Sequence, residues 1–242
     1  MSTMKYSARI TLYNSYFDLN NRLTAKSILN IFQDIASIHA EEIGVGYLAM
    51  LEKNMYWVLS RIKFDIIKMP EINQTVIAET WPHEKGRVDY DRDYLIESLD
   101  GKPLVKASSK WCVINFKTRR IALGGGVEYP EGEYFPQINY EGGLKKIADF
   151  DISDCGKFVG FAGESSLDHN GHVNNAKYLE FILDAISIEK GEKIKAIEIN
   201  YINELTVGCY EIYYKKEGNN RLIKGLSQGK ESFRAIFEIE KE

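Results

Sequence analysis

The chain has 242 residues and 27.7 kDa, with 44% hydrophobic and 27% charged residues, a globular composition long enough for one large domain or two small ones. Its 31 basic and 35 acidic residues leave a formal charge of -4, which excludes a nucleic-acid binder working through a positive coat. No apolar run approaches the ~18 to 20 residues that span a bilayer, and the opening MSTMKYSARI lacks a signal-peptide core. Three cysteines, Cys112, Cys155 and Cys209, are odd in number and far apart. They suit free thiols in a reducing cytoplasm better than a disulfide frame or a zinc site.

Alternation over residues 6–12 predicts a strand. A polar turn at 17–23 then leads to Thr24, an expected helix N-cap. From Ala25 the apolar positions Ile28, Ile31, Phe32, Ile35 and His39 recur at helical spacing, so a core-packed helix is expected to end near Gly44. A short helical piece follows at 47–51. On that stripe His39 reads as a satisfied core histidine, whereas His83, beside Pro82, reads as a solvated loop residue. Residues 55–67, 75–81, 88–97 and 104–116 carry the β-branched and aromatic side chains of strands.

Glycines 124–126, Pro130, Gly132, Pro136, Gly142 and Gly143 interrupt regular structure next, so 124–152 is expected to link two units, 1–123 and 153–242. The second unit predicts a strand at 158–161 and a polar turn at 168–174. A helix over 175–190 follows, stopped by Lys190-Gly191, and then strands at 195–204, 209–216, 221–228 and 233–239. The residues themselves repeat: Asp18 to Leu23 matches Asp168 to Val173 at an offset of 150, and after one inserted residue Ala25-Lys26 matches Ala176-Lys177. The fold class is therefore α+β, a tandem (double) hot-dog in which each unit is an antiparallel sheet wrapped around a long central helix.

Chemistry concentrates before the second helix. In the stretch from Asp168 to Asn175, six of eight residues are Asp, Asn or His, more than capping one helix requires. A carboxylate, an amide and an imidazole at alternate positions, Asp168, Asn170 and His172, project to one side of an extended segment. The exposed amides of the helix start favour developing negative charge. A helix over 175–190 spans roughly 24 Å, and a returning strand needs only about seven residues to regain its starting level. That brings Glu204 near His172, although a solvated charge at a strand end explains Glu204 equally well. Short basic groups, Thr118-Arg119-Arg120 and Lys145-Lys146, read as solvated surface with docking of an acidic partner as the alternative. No ligand spacing for a metal appears, and no Gly-x-Ser-x-Gly or phosphate loop.

These residues carry a resemblance. Asp168-His169-Asn170-Gly171-His172-Val173-Asn174-Asn175 resembles the Asp-x-Asn-x-His-Val-Asn-Asn signature of the acyl-acyl carrier protein thioesterases of plants and bacteria, and Tyr201-Ile202-Asn203-Glu204 resembles their Tyr-x-x-Glu element. Gln33-Asp34 through His39-Ala40, 57–61, 79–81, 107–111 and 118–120 follow in the family's order. The resemblance implies hydrolysis of fatty acyl-acyl carrier protein by Asp168, Asn170, His172 and Glu204 in the second unit. The first unit would shape the acyl pocket. With an acidic carrier as the partner, the basic pair Arg119 and Arg120 becomes the candidate docking group. It implies no cofactor and no metal, and it allows a homodimer without requiring one. The first copy has Arg22 where the second has His172, as expected if one copy alone is catalytic. Plant members commonly carry cysteine after the glutamate; here Leu205 rules out a thiol nucleophile at that point. Their transit region is also missing, which fits a bacterial cytoplasmic protein. Whether Asp168 is nucleophile or general base stays open. An acyl-CoA thioesterase or hydratase on the same fold, and a non-catalytic acyl-binding module, stand as alternatives.

Overall fold

The computed structural model describes residues 4–122, 127 and 132–241. The chain divides into two compact units, 1–62 with 67–144 and 63–66 with 145–242. In the first, strand β1 (Tyr6–Thr11) precedes helices α1 (Ala25–Glu42) and α2 (Tyr47–Glu52) and strands β2 (Met55–Ile66), β3 (Thr75–Pro82), β4 (Tyr90–Ser98) and β5 (Pro103–Asn115). In the second, β6 (Gly156–Ala162) precedes α3 (Asn175–Ala185), β7 (Glu192–Tyr201), β8 (Gly208–Glu217), β9 (Asn220–Ser227) and β10 (Lys230–Lys241).

Strand order is β1-β3-β4-β5-β2 in the first unit and β6-β8-β9-β10-β7 in the second, so the two share one topology. Pairing is antiparallel, with Tyr6 opposite Thr80 in β1/β3 and Gly156 opposite Tyr214 in β6/β8. Each unit is a hot-dog, with one helix laid on one face of its sheet. Helix α1 buries Ile28, Leu29, Ile31, Phe32, Ile35 and Ala36, and the Phe32 ring lies 4.8 Å from that of Tyr94. Each such large side chain contributes roughly 1.5 to 3 kcal/mol by leaving water. Helix α3 buries Tyr178, Leu179, Phe181 and Ile182, with Phe181 stacked on Tyr210 at 4.5 Å. Beneath it Gly225 admits the Phe233 ring, which a Cβ at that position would meet at 1.9 Å.

Four expectations are corrected. Thr24 and Asn174 both cap helices, through Ser27 N and Ala176 N, and the buried positions 28, 29, 31 and 32 align with 178, 179, 181 and 182. The repeat therefore runs at an offset of 150 without an insertion, and Ile28 is the counterpart of Tyr178. Helix α3 ends at Ala185, where the buried Ile186 turns extended (φ -101, ψ 136). Gly191, at φ +84, serves a tight turn into β7 instead of a helix stop. Strand β7 ends at Tyr201, because Ser232 O takes both Ile202 N and Asn203 N; Glu204 stands in the loop beyond. His83 is no solvated loop residue, since its Nε2 lies 3.0 Å from Oδ2 of the buried Asp93. His39, in contrast, is a core histidine, 3% exposed, with Nδ1 3.1 Å from Arg92 Nη1.

Of the expected linker, 124–126 and 128–131 lie outside the described residues. The remainder forms no regular element yet is tied down. Gln137 O accepts from Trp81 Nε1, and Asn139 donates to Asp93, Tyr94 and Ala107. Further on, Ile147 bonds Asn200 and Arg234, and Phe150 O accepts from Lys224. In this way Gln137 O, Asn139 N, Ile147 N and Phe150 O, which lie outside the named strands, find side-chain partners.

Candidate active site

The same turn precedes the long helix in both units. A 3-10 turn (Asn14–Tyr16; Glu164–Ser166) leads to an isolated bridge, Phe17 with Leu23 and Leu167 with Val173. Inside each bridge an aspartate organises the backbone. Asp168 Oδ1 accepts from Asn170 N at 2.8 Å and His172 N at 3.3 Å, while its own N–H donates to His172 O at 2.7 Å. Asp18 Oδ1 accepts from Asn20 N at 2.8 Å and Arg22 N at 3.0 Å in the same pattern. The fourth residue of each turn takes positive φ, +57 at Asn21 and +80 at Gly171, which these two residue types tolerate. Holding the turn is thus a real duty of Asp168, additional to any chemistry.

Alternation within the turn separates its side chains. Asp168, Asn170 and His172 are half-buried, whereas His169 and Gly171 are exposed. Asn170 donates its own N–H to Asp168 and stands between Asp168 and His172 in the turn. Glu204 arrives from the other side. Tyr201, at the end of β7, donates its Oη to Asn175 O at 3.0 Å, which brings the strand end level with the start of α3. Three residues later Glu204 Oε2 lies 3.0 Å from His172 Nε2, with the two side chains 35% and 21% exposed. The neighbouring residues are joined as well, because Val173 N donates to Leu205 O at 2.8 Å. Donation from Nε2–H to the Glu204 carboxylate selects the tautomer in which Nδ1 is the acceptor. The turn that carries Asp168, Asn170 and His172 thus lies at the start of α3, and the structure brings Glu204 to His172 there. Among the described residues, no group of three His, Cys, Asp or Glu side chains is placed to hold a metal ion.

The N-terminal domain model of the acyl-ACP thioesterases matches residues 3–123, and the C-terminal domain model matches 164–235. The chain belongs to the acyl-ACP thioesterase family. It is 28% identical over 218 residues to the oleoyl-acyl carrier protein thioesterase 2 of Arabidopsis thaliana, covering 82% of this chain and 59% of that one. A palmitoyl-acyl carrier protein thioesterase of the same plant is 29% identical over 198 residues, covering 74% of this chain and 47% of the relative. The chain thus spans about three fifths or less of the length of these curated relatives. Among solved structures, an acyl-ACP thioesterase from Bacteroides thetaiotaomicron is similar over 98% of both chains, with TM-score 0.84 and 27% identity. The 12:0-ACP thioesterase from Umbellularia californica shares the fold, with TM-score 0.86 at 19% identity.

The span matched by the acyl-ACP thioesterase C-terminal model contains all four clustered residues. Arg119 and Arg120 fall in the N-terminal match, in the turn after β5, and take no part in the cluster. Both are exposed. Arg119, at φ +55, also sends Nη1 to Tyr56 Oη at 3.1 Å, so one of its donors is engaged locally. Sequence reasoning missed Tyr178, whose Oη accepts from Leu205 N at 3.0 Å. The available signal was a phenol on a buried helical stripe, which must find a polar partner. Burial, then the charges of Glu204 and Asp168, push this phenol well above its usual value; the Leu205 N–H opposes them.

Proposed function

We propose that the chain hydrolyses the thioester joining a fatty acyl group to acyl carrier protein, releasing free fatty acid and ending chain elongation. The observation that carries this reading is the 3.0 Å contact of His172 with Glu204 beside the Asp168 turn, in a chain of this family. Relatives named oleoyl- and palmitoyl-acyl carrier protein thioesterases support the carrier-bound substrate. All four acting groups lie within one unit, so a homodimer is not required. Three unpaired cysteines support a reducing, cytoplasmic setting.

The chemistry follows from which atoms are engaged. Asp168 Oδ1 is held by two N–H groups, so Oδ2 is the oxygen that acts. It takes a proton from a water whose position is fixed by the Nδ1 lone pair of His172, itself oriented by Glu204. The water oxygen attacks the carbonyl carbon, and the Asn170 amide donates to the oxyanion that forms. Collapse breaks the C–S bond, and the proton taken from water ends on the departing sulfur. Fatty acid and carrier thiol are the products, and the atoms balance without a cofactor.

Thiol release from acyl-acyl carrier protein by wild type, His172→Gln and Glu204→Gln tests the reading. Release that falls at least about tenfold in both variants supports it. Undiminished release in both removes the pair from the mechanism. Release from acyl-CoA alone changes the substrate and keeps the site.

A further inference from the structure

We propose that Tyr178 is a positioning residue whose phenol oxygen, acting through the Leu205 backbone, holds the Glu204 carboxylate against His172. The inference rests on the hydrolytic reading of this site. Glu204 belongs to a loop in which Ile202, Asn203, Thr206 and Val207 are all exposed. Leu205, 1% exposed, is the buried member of that loop. Both its backbone groups are spent at the site, the N–H on Tyr178 Oη at 3.0 Å and the C=O on Val173 N at 2.8 Å. On its other flank the loop is held at Asn203, whose Nδ2 donates to Glu231 O at 2.6 Å. Where the Glu204 side chain points thus depends on where Leu205 sits.

Tyr178 is built to be immobile. It is 3% exposed, and its ring meets those of Tyr201 and Phe233 edge-on at 5.1 and 5.3 Å. Comparison of the two units separates this duty from packing. The counterpart of Tyr178 in α1 is Ile28, equally buried but with no oxygen to accept an N–H. The same unit carries Arg22 where the second has His172. The hydroxyl therefore occurs in the copy that has a histidine–glutamate pair to align, and a plain aliphatic fills the position in the copy that does not. In Tyr178→Phe the ring keeps its apolar neighbours, while the buried Leu205 N–H loses its acceptor. The loop must then shift to satisfy it, carrying Glu204 away from the imidazole.

The test is a double-mutant cycle on the full chain, using an acyl-acyl carrier protein substrate. Tyr178→Phe is expected to lower kcat by about tenfold to a hundredfold with KM within about twofold, because misplacement by an ångström carries that penalty. In the Glu204→Gln background the same change should lower kcat by less than about twofold, since the carboxylate it positions is already gone. Faster amide exchange at Leu205 in Tyr178→Phe, read without reference to activity, is the accompanying expectation. Wild-type kcat in Tyr178→Phe, or full additivity with Glu204→Gln, overturns the inference while leaving the hydrolytic reading intact. Undiminished turnover in Glu204→Gln alone overturns the reading beneath it.

Discussion

Asp18 and Asp168, 150 positions apart, hold the same turn by the same means, each with one carboxylate oxygen receiving the N–H groups two and four residues ahead. In the proposed mechanism the pair divides structural from chemical duty. What the second copy adds is His172 in place of Arg22, with Glu204 3.0 Å from its ring.

Substitutions at the two aspartates should therefore diverge. Asp168→Asn keeps an oxygen for both N–H groups but removes the charge, so the fold should persist while kcat falls by about 10²- to 10⁴-fold. Asp18→Ala should cost about 1 kcal/mol of stability through its lost turn, with kcat little changed. Denaturant melts and thiol release on both variants check this, and a large kcat loss at Asp18 would contradict it.

Acid should weaken the first unit through His39. Burial, and secondly the Arg92 charge, lower this imidazole to about 4 from an ordinary value near 6.5. Between those limits the unfolded chain binds the proton and the folded chain does not, so stability falls as pH drops from about 6.5 toward 4. The loss from this group is about 3 kcal/mol across the window. In His39→Gln, whose side-chain oxygen still faces Arg92, unfolding free energy should depend less steeply on pH there. An unchanged slope would contradict the assignment.

Gly225 is a packing constraint on the site. A methyl group added there would meet Phe233 at 1.9 Å, and Phe233 backs Tyr178. Gly225→Ala should cost about 1 to 3 kcal/mol and lower kcat through the displaced ring. Thermal melts alongside kinetics read both effects.

Much of this architecture was legible in the chain itself. Strand periodicity and the Thr24 cap are local signals, and the strand and helix bounds follow them closely; the 150-residue repeat is legible by direct comparison of the two halves. The helix and strand lengths bring Tyr201 level with Asn175 even though α3 stops at Ala185, because β7 also begins earlier, at Glu192. Other features depend on partners distant in sequence. Gly191 at positive φ suits a helix stop and a tight turn alike, so the residue could not decide between them. The engagement of His83 with Asp93 and that of Tyr178 with Leu205 arise where segments meet, and neither side chain announces its partner.

Carrier-thioester hydrolysis at the Asp168 turn is the function proposed for this chain. The measurement that tests it most directly is initial-rate thiol release from one acyl chain offered on acyl carrier protein and on coenzyme A, with wild type, Asp168→Asn and Arg120→Glu. Expected are faster release from the carrier, its loss in Asp168→Asn, and in Arg120→Glu a KM raised for the carrier substrate but not for coenzyme A. Undiminished carrier hydrolysis by Asp168→Asn would contradict it.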